Sequence, residues 1–298
     1  VKLAVLSVHY RHPGLLADQI ERLRRCAGPL RAALGAELVF VPILHRWGEE
    51  ETAAAVLAAR EPGRVEPVDL RGLPAEAIPR DDCHGHSLSA AYRELRAAGR
   101  LDGDDLVALL DHDAHPLHTD ALARLARPLL DGDAPAGVGG IGGIGGIGIP
   151  QWHRGHCYLH PSFLITRASR IDTMGADCAF ELHEPARNGR AWSDTGEGFT
   201  IWCEQNGRPI LPLRVLSTAF PWSRWDSAMV PDRGTELTGW HGEPVRVGYL
   251  MRYGWDVDTP LLSHVWSVPL ENRPGMHFGP QTAAEVMAAY FAEPLAGD

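Results

Sequence analysis

The sequence predicts an α/β protein built on a mostly parallel sheet flanked by helices. The first sign is a set of apolar runs that do not alternate. Lys2 to His9, Glu37 to Leu44 and Leu106 to Leu110 each read as a strand buried on both faces. The second sign is helical spacing of apolar residues between those runs. The third is where the last run stops: Leu106-Val-Ala-Leu-Leu110 gives way to Asp111-His112-Asp113-Ala114-His115-Pro116. Open α/β sheets bind their ligands just beyond the carboxyl ends of such strands.

The elements follow in order. After the first strand, Leu16, Ile20 and Leu23 recur at helical spacing, so the opening unit is strand, loop, helix. Glu37 to Leu44 is the second strand, and Val65 to Leu70 a weaker third. Leu88, Ala91 and Leu95 share one helical face, which predicts a helix starting near Gly85 or His86 with free backbone N–H groups at its start. Leu122, Leu125 and Leu129 mark a helix after the carboxylates. Next comes a glycine run from Ala136 to Pro150. Gly137-Val-Gly139-Gly-Ile-Gly142 matches the dinucleotide-binding pattern in letters only. That pattern needs a preceding strand and a following helix, whereas the glycines here continue to Gly148, so a loop or frayed strand beside the site is expected. Phe163 to Ile165 reads as a short strand. Asp194 is placed to cap a helix ending at Asn206-Gly207, and Arg208 to Leu213 follows as a closing strand. From about Pro221 the chain is rich in Trp, Pro, Gly and Asp, with a short helix near Ala283 to Phe291. This tail is expected to wrap the active face and carry acceptor contacts.

Composition narrows the function. With 298 residues the chain can bury a full core, and a net charge of -10 argues against a nucleic-acid binder, which needs a basic face. Any bound phosphate is then expected to be held through a cation. Lys and Arg number 28 together, yet Lys2 is the only lysine. A P-loop, a protein-kinase site or a pyridoxal Schiff base would each need a lysine deep in the fold. The arginine and alanine bias points to a GC-rich genome. Five cysteines without a CxxC pair fit a reducing compartment. With no signal-like start and no transmembrane segment, a cytoplasmic protein is expected. A homo-oligomer is left open.

The chemistry centres on Asp111 and Asp113. If extended geometry continues past Leu110, the two carboxylates point the same way. Carboxylate oxygens so placed suit Mg²⁺ or Mn²⁺, with coordination positions left for phosphate oxygens. His115 and His118 read equally well as surface residues of the following turn.

The order of these pieces resembles the family-2-like, nucleotide-sugar-dependent glycosyltransferases of the glycosyltransferase A (GT-A) fold, over roughly residues 2 to 216. The first strand ends in Ser7-Val-His9-Tyr10-Arg11, His84-Gly85 heads a helix before the carboxylate strand, Asp111-His112-Asp113 is similar to the family's Asp-x-Asp signature, and Asp194 heads a helix ending in glycine. The resemblance implies a Rossmann-like sheet in a catalytic domain over 1–216, with a donor half to about 116 and an acceptor half from 117. A loop-rich extension over 217–298 would cover the active site.

It further implies that Ser7, His9, Tyr10, Arg11, His84, Gly85, Asp111 and His112 bind a nucleotide-diphosphate sugar donor. Asp111 and Asp113, completed by His264 ahead of His277, would hold Mn²⁺ or Mg²⁺. Asp194 by preference, and Glu197 next, would serve as the catalytic base toward a small-molecule or glycan acceptor, with inversion expected and retention open. The family's base-contacting aspartate is replaced here by Leu44-His45-Arg46, which leaves the nucleotide open, and Ser193 precedes Asp194 where relatives carry an acid. Trp222, Trp225, Trp240, Trp255 and Trp266 are candidates for stacking on a ligand.

Two other readings compete. His84-x-His86, Asp111-x-Asp113-x-His115 and His153-x-x-His156 suggest a metal-dependent hydrolase holding zinc or two metals. A nucleotidyltransferase would keep the fold, but the lysines and glycine-rich first loop that grip a triphosphate are missing.

Overall fold

The computed structural model describes residues 1–9, 12–78, 83–131, 144–153, 156–182, 195–221, 236–238, 240, 244–246, 248–255, 258–265 and 283–297. A seven-stranded sheet forms its centre. The chain runs β1 (Lys2–His9), α1 (Pro13–Leu34), β2 (Glu37–Leu44), α2 (Glu50–Ala58), β3 (Val68–Asp69), α3 (Cys83–Ala97) and β4 (Leu106–Leu110). It continues through β5 (Ala114–Pro116), α4 (Ala121–Asp131), β6 (Gly146–His153), β7 (His156–Arg167), α5 (Ala168–Met174), α6 (Ala176–Phe180), α7 (Glu197–Gln205) and β8 (Ile210–Pro212). The strand order is β3-β2-β1-β4-β7-β6-β8, and β7 alone runs against the rest. The expected mostly parallel, helix-flanked sheet is therefore what the chain forms.

The absence of alternation in the early strands has its cause in two cores, one on each face. Leu106, Ala108 and Leu110 of β4 join the core under α1 and α4, while Val107 and Leu109 join the core under α3 and α6. Both faces are covered, so every position of β4 is apolar.

The rest of the chain builds a second sheet. Its strands are β9 (Arg214–Pro221), β12 (Gly248–Gly254) and β13 (Leu262–Val265), with β5 from the first half of the sequence, in the order β5-β13-β12-β9 and antiparallel throughout. A two-stranded ribbon, β10 (Glu236–Thr238) with β11 (Pro244–Arg246), and a last helix, α8 (Ala283–Phe291), complete the described elements. The described part of the tail is thus sheet more than loop, and β9 runs across the 216/217 boundary expected from sequence. Among the described residues no helix is long and apolar enough to cross a membrane.

Two stretches differ in detail from expectation. The glycine run ends in a strand of the main sheet: β6 begins at Gly146, and a Cβ there would stand 2.7 Å from the Phe199 ring. Its glycines let α7 and β7 close onto the strand; 132–143, including the GxGxxG letters, lie outside the described residues. The helix expected from Asp194 starts later, at Glu197, with Gly196 as its N-cap at φ 82. Glycine suits that left-handed position, and a Cβ there would also stand 2.7 Å from the Leu159 carbonyl oxygen.

Candidate metal centre

The carboxylate turn grows out of β4. Asp111 continues the alternation of Val107 and Leu109 toward the α3 face, and there it meets the first turn of α3: His84 Nε2 lies 3.1 Å from Asp111 Oδ1. The strand does not carry on to Asp113, as the sequence suggested. Ala114 N donates to Asp111 O at 3.0 Å, so a tight turn brings the second carboxylate round. Asp113 is buried, with 4% of its surface exposed, and its carbonyl accepts a hydrogen bond from Val265 N at 3.0 Å.

The third member arrives by sheet register. β13 pairs with β5 so that His264 stands opposite Ala114, next to Asp113. His264 Nε2 is 3.5 Å from Asp113 Oδ1, and one ligand atom from each of Asp111, Asp113 and His264 lies within 4.8 Å of the others. Two hard carboxylates and one imidazole form a donor set that fits a divalent cation such as Mn²⁺ or Mg²⁺ and leaves coordination positions for ligand oxygens. His264 Nδ1 is buried without a hydrogen-bond partner among the described residues.

Further groups tune the centre. Burial pushes the Asp111 carboxyl up, but His84, by charge and hydrogen bond, outweighs it with His160 and His264 and holds it well below the usual carboxylate range. His160 Nδ1 is 3.9 Å from Asp111 Oδ2 and 2.5 Å from Ser162 Oγ, and that hydroxyl lies 3.3 Å from His264 Nε2. His160 and Ser162 were not singled out from sequence. They sit on the reversed strand β7, whose pairing with β4 no local pattern announces.

The remaining expected residues fall in several places. Gly85 is buried in the first turn of α3 beside His84. Ser7 is buried behind the turn, its hydroxyl donating to Gln19 Oε1 at 3.2 Å. His9 is fully buried, its ring edge-on to Phe40 and, 6.1 Å away, to His112, which is partly exposed. Burial, then the His112 charge, lowers His9 to about 3 against a weaker upward pull from Gln19, so the ring is neutral at ordinary pH. Glu197 is fully buried at the start of α7, beside the stretch of β7 that carries His160. Tyr10, Arg11, Asp194, His277, Trp222, Trp225 and Trp266 lie outside the described residues, while Trp255 is half-buried against the core and Trp240 is half-buried.

Sequence reasoning left His115 open, as a surface residue of a turn or a member of the hydrolase pattern. It is fully buried, with Nδ1 2.9 Å from Asp18 Oδ2, Nε2 3.1 Å from Glu293 Oε2, and its ring stacked on Tyr290 at 4.0 Å. His86 pairs with Glu181 at 3.2 Å. These two members of the hydrolase pattern are therefore engaged away from Asp111 and Asp113.

No protein-family model and no curated protein matches the sequence. Among solved structures the chain is similar to a mannosyltransferase from Pyrobaculum calidifontis in complex with GDP-Man and Mn²⁺, at 15% identity and a TM-score of 0.45, over 70% of this chain and 54% of that one. The chain thus spans about half the length of that protein. It is also similar to a 4-diphosphocytidyl-2C-methyl-D-erythritol synthase, at 13% identity and a TM-score of 0.39, over 71% of this chain and 87% of the other. A third likeness is to the galactosyltransferase LgtC in complex with donor and acceptor sugar analogs, at 13% identity and a TM-score of 0.35, over 79% and 80% of the two chains. These likenesses assign no role to any residue of this chain.

Proposed function

We propose that the protein is a metal-dependent glycosyltransferase that moves a sugar from a nucleotide-diphosphate donor to an acceptor hydroxyl. The observation that carries this reading is the convergence of Asp111, Asp113 and His264, at the carboxyl end of a buried parallel strand, within 4.8 Å. Asp111, Asp113 and His264 would hold Mn²⁺ or Mg²⁺. When bound, the cation supplies charge stabilisation to a leaving diphosphate.

The chain's own groups account for the rest. His84, 35% exposed at the start of α3, presents an imidazole and the helix's first N–H groups to donor oxygens. Gly85, next to it in the same turn, is assigned to the donor as well. His112, partly exposed beside His9, is assigned to the donor, as are Tyr10 and Arg11, which come next in sequence after His9. Ser7 and His9 support the site from inside. Asp194 is the preferred base for the acceptor hydroxyl, placing the acceptor's proton on its carboxylate as the new bond forms with inversion. Glu197 is second, because its carboxylate is fully enclosed. The acceptor is a small molecule or a glycan, and the site works in a cytoplasmic setting.

A thermal-shift series with nucleoside diphosphates, with and without Mn²⁺, tests this. Stabilisation by diphosphate that requires Mn²⁺ is the expected result. Tight stoichiometric zinc with no response to nucleotide would replace the reading with a hydrolase. Asp194→Asn should keep donor affinity and lower the rate by about 100-fold or more; a near-normal rate would place the base elsewhere.

A further inference from the structure

One face of α1 follows the chain that leaves β4. Asp18 reaches His115, Arg22 Nη1 donates to Pro116 O at 3.4 Å, and Cys26 Sγ donates to His118 O at 3.7 Å. Gln19 lies on this face nearest the carboxylates. Its Nε2 donates to Asp111 O at 2.6 Å and to Ala114 O at 2.8 Å. Positions 18, 19, 22 and 26 recur at helical spacing, so the helix axis runs beside residues 111–118 and contacts them in sequence order.

Gln19 is fully buried, and both of its N–H groups are used on this turn. The two carbonyls it binds belong to the first and last residues of the turn that bears both carboxylates. The turn's own bond, Ala114 N to Asp111 O, closes the same loop of chain. One amide nitrogen thus fixes the ends between which Asp111 and Asp113 project.

We infer that Gln19 is a positioning residue of the metal centre, setting the separation of the Asp111 and Asp113 carboxylates by clamping both ends of their turn. This rests on the reading of Asp111, Asp113 and His264 as cation ligands. A glutamine that only satisfied two buried carbonyls would change stability and leave cation affinity alone. A positioning residue changes both, because ligand geometry is lost with the clamp.

The experiment is a Mn²⁺ titration, followed by the electron paramagnetic resonance signal of the free ion, on the full chain, on Gln19→Leu and on Leu23→Ala, with thermal unfolding of each. Leu23 is a buried apolar residue of the same helix and serves as the stability control. Gln19→Leu should weaken Mn²⁺ binding by about tenfold or more, and the control should keep the parent affinity at a comparable loss of Tm. Gln19→Met, unbranched like glutamine, is used if the leucine variant does not fold. Parent affinity in the Gln19 variant, or an equal loss in the control, overturns the role of Gln19 alone. A parent chain that binds no Mn²⁺ overturns the metal reading and this inference with it.

Discussion

Asp113 Oδ1 and His264 Nε2 stand 3.5 Å apart although one belongs to the turn after β4 and the other to β13. The two backbones are joined independently of the side chains, since Val265 N donates to Asp113 O. Asp113→Asn should therefore fold and yet lose cation binding. Removing a ligand is expected to exceed the about 10–100-fold cost of losing an outer partner. Mn²⁺ titration with circular dichroism on the same sample checks it, and an unchanged affinity would remove Asp113 from the ligand set.

His264→Ala separates a ligand from a packed ring. Its Nδ1 is buried without a hydrogen-bond partner among the described residues, and Nε2 faces Ser162 Oγ at 3.3 Å and Asp113 Oδ1 at 3.5 Å, so only cation binding distinguishes a ligand from a hydrogen-bonded core ring. The expected outcome is weaker Mn²⁺ binding by more than about tenfold. Loss of stability with the parent's Mn²⁺ curve would return His264 to the core.

Part of this site was legible because its cause is local. The run Leu106 to Leu110 is apolar throughout because two cores cover β4, and it ends where the sheet meets a polar rim. The helix over Ala283–Phe291 likewise carries its own pattern. Gln19 was not legible: a polar residue on a helix shows its bonds to residues about ninety positions on only after folding. The second sheet was read as loop because its strands are short and one, β5, comes from far upstream. His115 stayed open between a turn surface and a metal-binding pattern for the same reason, since Tyr290 and Glu293 cover it from the far end of the chain.

That covering predicts a stability cost. Glu293 reaches His115 and also accepts from Arg252 Nε at 2.6 Å, while its carbonyl accepts from Arg22 at 2.7 Å. Glu293→Ala leaves the buried His115 ring without one of its two carboxylates and the 42% exposed Arg252 without its partner, and the loss should be about 1–3 kcal/mol. Equilibrium urea unfolding measures it. A change below about 1 kcal/mol, the scale of exposed pairs, would show the cluster to be idle. Burial raises the Asp18 and Glu293 carboxyls, but His115 leads the contacts that outweigh it, and both sit below their ordinary values of 3.8 and 4.5. Their contribution is present above those values and fades as pH falls below them.

Two glycines should respond in opposite directions. At Gly14, in the first turn of α1, an added Cβ meets open space, so Gly14→Ala should stabilise by about 0.5–1 kcal/mol. At Gly148, where the β6–β7 register shifts, a Cβ would stand 2.5 Å from the Phe163 carbonyl oxygen. Backbone must move there, and Gly148→Ala should cost about 1–3 kcal/mol. Thermal unfolding of the two variants side by side gives the answer; equal effects would contradict the packing of β6.

His9 makes the sharpest pH prediction. Its ring is fully buried beside Phe40 and His112, and the Gln19 side chain only weakly offsets the cost of charging it there. The unfolded ring takes up a proton near 6.5 and the folded ring only near 3, so between those values the unfolded chain binds one more proton. Stability due to His9 is thus complete above 6.5 and is lost as pH falls toward 3, by up to about 5 kcal/mol. His9→Leu removes that proton uptake at a cost at pH 7 of about 1.5 kcal/mol or less, since volume is nearly kept. The difference between parent and variant, measured by urea unfolding at pH 7 and pH 4, should therefore move in favour of the variant on acidification. Every other acid-sensitive group is shared by the two chains, so parallel curves would mean that the His9 ring is protonated or solvated in the folded state.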